Sequence, residues 1–189
     1  MRILNVDEIK LERNSIIESM TMDAVFIYPT DTIYGIGCNA QNPRAVRKVR
    51  KLKARASNPF SVIAPSTDWI RENCFVTKEA EEWLEKLPGP YTLILKLKKK
   101  SCVAKEVNSG LNTLGIRIPN HWISELVAEA GIPIVTTSVN RSNEDYMTSL
   151  EDLDPSIKGG IEFILYEGRK EGKPSKLVDL TGNVKIIER

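Results

Sequence analysis

Short apolar runs rich in β-branched and aromatic residues recur along the chain: Ala24 to Tyr28, Phe60 to Ala64, Tyr91 to Leu97, Thr113 to Ile118, Ile134 to Thr137, Ile161 to Tyr166, Leu177 to Leu180 and Val184 to Ile187. Runs of this length and composition predict strands. The stretches between them predict helices at Val6 to Met20, Pro43 to Leu52, Thr67 to Asn73, Lys78 to Leu87 and Trp122 to Ala130, with a short one near Leu150. Two helix ends carry capping chemistry. Asn42 before Pro43 is an N-cap with proline in the first turn, and Gly131 follows Ala130 as a C-cap, with Pro133 two residues on. The alternation gives an α/β (or α+β) chain without internal repeats, but not a clean βαβ series, so a Rossmann sheet is not expected. Strand order does not follow from the pattern.

Length adds a bound. At 189 residues the chain suffices for one sizeable core, so a single domain over 1–189 is expected, with 1–20 as its N-terminal helical segment. With 41% hydrophobic and 28% charged residues, the composition is that of a globular protein. The first twenty residues carry Arg2, Asp7, Glu8, Lys10, Glu12, Arg13 and Glu18, unlike a signal peptide. No run approaches the roughly 18 apolar residues of a membrane span. A cytoplasmic protein without membrane attachment is therefore expected. The three cysteines, Cys38, Cys74 and Cys102, are widely spaced and there is one histidine, His121, which argues against a disulfide framework or a zinc site.

Net charge is only +2, yet its distribution is uneven. From Thr32 to Thr67 there is no acidic residue, while Arg44, Arg47, Lys48, Arg50, Lys51, Lys53 and Arg55 crowd together. Such a block suits a polyanion, either nucleotide phosphates or RNA, and equally suits a solvated helix face. In the Pro43 helix only Val46, Val49 and Leu52 form an apolar seam, so the basic residues fan over the exposed face and lead to Lys53 and Arg55. A cation pair on the loop before the Phe60 strand would make a phosphate clamp.

Absences exclude several enzyme classes. The chain has no P-loop, no G-x-G-x-x-G fingerprint and no G-x-S-x-G elbow, and a lone histidine leaves little for a hydrolase triad. What remains is hydroxyl, amide and cationic residues at strand ends. Tyr28-Pro29-Thr30-Asp31-Thr32-Ile33-Tyr34-Gly35 sets hydroxyls on a turn after a buried strand. Val135-Thr136-Thr137-Ser138-Val139-Asn140 runs from apolar into hydroxyls and an amide, which can bind an anion or a base without adding charge. Leu114-Gly115-Ile116-Arg117-Ile118-Pro119 places an arginine in an apolar strand, where an inward cation needs a carboxylate or phosphate partner. Each segment alone fits equally a turn, a self-satisfied strand end or a solvent-facing side chain.

Taken in order, these segments resemble the YrdC family of threonylcarbamoyl-AMP synthases from about Ala24 to Arg189. The landmarks are Pro29-Thr30-Asp31-Thr32-Ile33-Tyr34-Gly35, Lys53-x-Arg55 before Asn58-Pro59, Pro88-Gly89-Pro90-Tyr91-Thr92, Arg117-Ile118-Pro119, Ser138-x-Asn140, and Pro174-Ser175 before Val178-Asp179-Leu180-Thr181. The resemblance implies a YrdC-like fold of the double-stranded-RNA-binding type, in which a twisted mixed sheet forms a concave basic cavity. It implies an ATP-dependent nucleotidyltransferase that joins L-threonine, bicarbonate and ATP, releases pyrophosphate, and supplies a separate transferase acting on tRNA adenosine beside the anticodon.

Carried over residue by residue, the resemblance implies catalytic roles for Lys53 and Arg55. It implies ATP contacts at Arg55, Asn58, Thr113, Ser138, Asn140, Tyr146 and Arg189, with Thr148 an alternative to Tyr146, and threonine contacts at Thr32, Arg117, Thr136 and Ser175. Mg2+ is expected on the ATP phosphates with no protein cage of its own. Three departures stand out: Ile63 where some longer relatives have histidine, Ser142-Asn143 in place of Ser-Gly, and Lys176 in place of Ser or Thr. Two other readings remain: a double-stranded RNA or tRNA-binding module without catalysis, and the carbamoyl-phosphate chemistry of hydrogenase-maturation proteins that share the domain.

Overall fold

The computed structural model describes every residue except Asn143 and Arg189. Among the described residues the strands are β1 (Arg2–Leu4), β2 (Phe26–Tyr28), β3 (Gly35–Gly37), β4 (Ser61–Ile63), β5 (Tyr91–Lys96), β6 (Thr113–Arg117), β7 (Ile134–Ser138), β8 (Phe163–Leu165), β9 (Lys176–Asp179) and β10 (Lys185–Ile187). The helices are α1 (Val6–Leu11), α2 (Arg13–Thr21), α3 (Pro43–Leu52), α4 (Thr67–Asn73), α5 (Lys78–Leu84), α6 (Lys105–Asn108), α7 (Ile123–Ala130) and α8 (Pro155–Lys158).

The strands form one mixed sheet in the order β1-β8-β2-β3-β7-β4-β6-β5-β9-β10. Alternation along β2 shows why both faces are covered. Val25 and Ile27 enter a core packed with Val46, Val49 and Ile70 from α3 and α4. Phe26 and Tyr28 point the other way, into a second core with Ile16, Met20, Leu126 and Val127 from α2 and α7. Phe26 stacks on Phe163 of the neighbouring β8 with ring centroids 5.0 Å apart. A strand buried on both faces reads as a continuous apolar run, which is why β2 was legible in the sequence.

Most predicted elements are present with small shifts at their ends. The N-terminal helix is the main difference, because it breaks into α1 and α2 at Glu12 and is preceded by β1. Asn5 ends β1 and starts α1 with a capping box: its side chain accepts from the Asp7 and Glu8 amides, and Glu8 accepts from the Asn5 amide. β1 is only three residues long and gains its order from parallel pairing with β8.

β3 was also unpredicted, because Gly35-Ile36-Gly37 has poor strand propensity. A Cβ on Gly37 would lie 2.1 Å from the Val135 carbonyl and 3.0 Å from the Tyr28 ring, so only glycine fits where β3 passes Tyr28. Gly37→Ala is expected to cost about 2 to 3 kcal/mol by overpacking against backbone, measured as a lower urea midpoint at unchanged m-value.

Candidate active site

The loop after β2, the first residue of β3, the approach to β4, the first turn of β5, the last residue of β6 and the end of β7 converge on one cavity of about 200 Å³. Thr30, Ile33, Tyr34, Gly35, Arg55, Ser61, Thr92, Arg117, Thr136, Ser138, Tyr146 and Ser175 are among its lining residues. A wider groove of about 630 Å³ lies between α3 and α8, with Lys51 and Arg141 on its rim. No polar side chain in that groove is buried, so it lacks the convergent polar groups of the smaller cavity.

Arg117 decides the electrostatics at one end. It is only 5% exposed at the end of β6, and its guanidinium forms an ion pair with Asp31 and donates from Nη1 to Thr32 Oγ1 at 3.2 Å. Asp31 in turn accepts from the Asn120 amide at 3.0 Å, and Thr32 Oγ1 lies 2.9 Å from Thr30 Oγ1. Burial holds the Arg117 pKa below its ordinary value against the opposing pull of Asp31. Its Nε is buried with no hydrogen-bond partner, in a wall that carries no carboxylate. Thr92 Oγ1 and Ser175 Oγ pair at 2.7 Å beside it, both buried.

Arg55 stands at the other end. Its Nε and Nη2 donate to the carbonyls of Asn58 and Pro59, and its guanidinium lies over Phe60, 5.1 Å from the ring centroid. Much of the basic stretch has internal partners. Arg50 donates to the carbonyls of Arg55, Ala56, Asn58, Glu106 and Val107, Arg47 pairs with Glu106, and Lys48 pairs with Asp23. The fan of charge predicted on α3 therefore serves in part to fix the loop that aims Arg55.

Lys53 is placed differently from the expectation that it meets phosphate. It is 1% exposed behind the cavity wall, and its Nζ donates to Ser138 O at 2.5 Å, Asn140 O at 2.7 Å and Asn140 Oδ1 at 2.7 Å. An ammonium has three N–H donors, and all three are engaged. Burial and the Arg55 charge push Lys53 down to about 7. Its three acceptors act in the opposite direction, because a neutral amine could satisfy only two of them. The side chain thus shapes the Ser138-to-Asn140 turn.

The predicted residues divide accordingly. Arg55, Arg117, Thr136, Ser138, Tyr146 and Ser175 meet in the wall. Thr32 sits just behind it, bonded to Arg117. Asn140 is also outside the wall, its Oδ1 accepting from Lys53 and from Ser138 Oγ at 2.7 Å. Asn58 is exposed and outside the wall, and contributes its backbone carbonyl to Arg50 and Arg55. Thr113 lies at the opposite end of β6 from Arg117, and the Thr148 hydroxyl donates to Asp152 at 2.5 Å. Arg189 lies outside the described residues. Sequence reasoning assigned no role to Asp31, Ser61 or Thr92. Asp31 and Thr92 fall inside quoted landmarks, which was the available signal; Ser61 had none.

A cavity that pairs a buried arginine with a second arginine across neutral hydroxyls has the chemistry to accept an anionic, polar small molecule. Comparison with known proteins identifies the family. Residues 18–189 match the Sua5/YciO/YrdC family, described as telomere recombination, and the chain belongs to it. It is 36% identical over 146 residues to the threonylcarbamoyl-AMP synthase of Bacillus subtilis, covering 73% of this chain and 42% of that one. It is 34% identical over 186 residues to a Methanocaldococcus jannaschii protein provisionally given the same name, covering 93% of this chain and 85% of the relative. Among solved structures, Pyrococcus abyssi Sua5 complexed with L-threonine superposes with a TM-score of 0.83 at 29% identity, over 97% of this chain and 55% of that one. Escherichia coli YciO shares the fold with a TM-score of 0.84 at 23% identity, covering 100% of this chain and 94% of that one. The chain thus spans about half the length of the B. subtilis synthase and of P. abyssi Sua5, and most of the other two.

Two substitutions test this geometry. Asp31→Asn leaves the buried Arg117 charge without its counter-ion and is expected to cost about 3 to 5 kcal/mol in chemical denaturation. Lys53→Met removes three hydrogen bonds at once and leaves the Asn140 carbonyl without its donor, and is expected to cost about 2 to 4 kcal/mol. Lys53→Arg should not restore the loss, because a planar fork cannot replace a compact ammonium among three converging oxygens.

Proposed function

We propose that this chain is an L-threonylcarbamoyladenylate synthase, joining L-threonine, bicarbonate and ATP to threonylcarbamoyl-AMP with release of pyrophosphate. The observation that carries the reading is the buried Nε of Arg117, unpartnered at one end of a carboxylate-free cavity that has Arg55 at the other. Relatives named threonylcarbamoyl-AMP synthase and the threonine complex of P. abyssi Sua5 support the same assignment.

In this reading the substrate carboxylate pairs with the Arg117 guanidinium, whose Nε has no protein partner, with the Thr92 and Ser175 hydroxyls beside it. Asp31 and Thr32 fix the guanidinium plane, so binding requires no reorganisation of the arginine. The threonine amine and bicarbonate condense to a carbamate with loss of water. A carbamate oxygen then attacks the α-phosphorus, and the bond to the pyrophosphate oxygen breaks. The attacking oxygen is already anionic, so no strong general base is needed, in keeping with a wall of hydroxyls and arginines. Arg55 stabilises charge that develops on the phosphates, and Ser138 and Tyr146 contribute neutral contacts.

Lys53 acts here as a positioning residue, holding the Ser138 turn from behind. The cavity wall offers no carboxylate, and among the described residues no group of three or more His, Cys, Asp and Glu could hold a metal. A protein cage for Mg2+ therefore does not fit, and the ion belongs to the substrate as its ATP complex.

The product is a mixed anhydride that a tRNA threonylcarbamoyl transferase consumes. A cytoplasmic location is part of this reading, since the tRNA acceptor is found there; no helix among the described residues is long and apolar enough to cross a membrane. Any direct tRNA contact would draw on exposed cations such as Arg44, Lys51 and Arg141, since Arg47, Lys48 and Arg50 have partners within the chain. The hydrogenase-maturation protein HypF shares the fold with a TM-score of 0.82 at 25% identity, over 93% of this chain and 28% of that one, so threonine dependence is the discriminating property.

Incubated with ATP, bicarbonate and L-threonine, the protein is expected to release pyrophosphate only when threonine is present; release that ignores threonine would overturn the assignment. Arg55→Ala is expected to slow single-turnover formation of the adenylate by about 2 to 4 kcal/mol of transition-state stabilisation. A wild-type rate would remove Arg55 from the reaction.

A further inference from the structure

The segment 167–175 between β8 and β9 has neither helix nor strand, and no residue from 167 to 174 is buried. Burial of apolar side chains therefore does not hold it in place, yet its last two residues, Pro174 and Ser175, line the cavity. It crosses the loop after β2 closely: a Cβ on Gly172 would lie 1.9 Å from the Thr32 carbonyl. Four backbone ties fasten it. Tyr146 Oη donates to Gly172 O at 3.2 Å, the Lys170 amide to Thr148 O at 2.9 Å, Tyr34 Oη to Gly168 O at 2.6 Å, and the Glu167 amide to Tyr34 Oη at 3.2 Å.

The densest anchor is the Glu167 carboxylate. It accepts from Trp122 Nε1 at 2.8 Å, from His121 Nε2 at 3.0 and 3.1 Å, and from Lys170 Nζ at 2.5 Å. Ile123 N donates to His121 Nδ1 at 3.4 Å, which puts the histidine proton on Nε2, facing Glu167. Burial keeps His121 below its ordinary pKa and so neutral, against the pull of Glu167. Burial alone would raise Glu167, but Lys170, Trp122 and His121 outweigh it and hold the group below its ordinary value, as a carboxylate. The turn bearing His121 and Trp122 also supplies the Asn120 amide to Asp31, the partner of Arg117. One short turn thus joins the arginine pair to the anchor of the strap.

We propose that Glu167 is the positioning residue that holds the 167–175 strap closed over the amino-acid end of the cavity, and so sets its affinity for L-threonine. The proposal rests on the synthase reading for the identity of the ligand; the anchoring itself does not. In Glu167→Ala the strap loses its link to the Trp122 turn and residues 167–174 lift away from Thr32, while Ser175 keeps its Thr92 partner, and threonine binds a cavity with one side open. ATP is affected less, because Arg55 and Ser138 lie off the strap and only Tyr146 of its proposed contacts touches it, through Gly172.

The test combines hydrogen exchange on the free protein with calorimetry of L-threonine in the presence of a non-hydrolysable ATP analogue. In Glu167→Ala, the amides of residues 167 and 170, which donate to Tyr34 Oη and Thr148 O, are expected to exchange about tenfold faster and L-threonine to bind about tenfold more weakly. In turnover, the threonine KM should rise by a similar factor while kcat and the ATP KM stay within about twofold. Gly172→Ala, which pushes the strap off Thr32 while leaving the Glu167 anchor intact, should weaken threonine binding alike and guards against a Glu167 variant that does not fold. Unchanged exchange in Glu167→Ala overturns the anchor. Faster exchange with unchanged threonine affinity overturns its control of the subsite. Wild-type protein that does not bind L-threonine overturns the functional reading, and with it the subsite, while the exchange measurement still decides the anchor.

Discussion

A guanidinium can be taken out of water only if something nearby carries the opposite charge, and most of the site follows from how Arg117 meets that requirement. Asp31 supplies the charge and Thr32 a neutral acceptor. Both come from the turn after β2, so burying the arginine fixes that turn against the end of β6. β2 and β6 are not neighbours in the sheet; β3, β7 and β4 lie between them. The ion pair thus spans three intervening strands at the sheet's end and encloses the cavity. What remains is an Nε with no protein partner, in a space walled by hydroxyls.

The opposite end is built on the same economy of charge. Arg50 satisfies the carbonyls of the loop from Arg55 to Asn58, and Lys53 satisfies those of the Ser138-to-Asn140 turn. Two of the cations behind the cavity thus act on backbone, and Arg55 reaches the wall because of them. This division suits a site that handles highly charged substrates. A cluster of free cations would repel itself in the empty protein, whereas cations bonded to carbonyls rigidify the loops at little electrostatic cost.

The resemblance to the YrdC family drew on residues that turned out to perform different physical tasks. Arg55, Arg117, Ser138 and Ser175 face the cavity, whereas Lys53 and Asn140 support it from behind. Both kinds sit in the same short motifs, since a turn needs its supports as much as its contacts. Sequence order cannot separate them, because side-chain direction around an irregular turn depends on packing that the local sequence does not encode. Glu167 shows the opposite case. It lies outside every landmark, and its partners His121 and Trp122 are more than forty residues away, so nothing local marked it.

The chain by itself determined the elements whose apolar pattern is local. β2, β5, β6 and β7 are apolar runs, α3 and α4 have the bounds predicted for them, with the Asn42 cap marking the start of α3, and the dearth of acids around Lys53 and Arg55 marked one side of the site. Tertiary structure decided the order of the strands, the existence of β1 and β3, the pairing of Asp31 with Arg117 and the course of the strap. β1 is too short to form without β8, and β3 is two glycines around an isoleucine that become a strand only between β2 and β7. Local patterns report how a residue is solvated on average. A ligand site depends on which groups, distant in sequence, are forced to satisfy one another once water is gone.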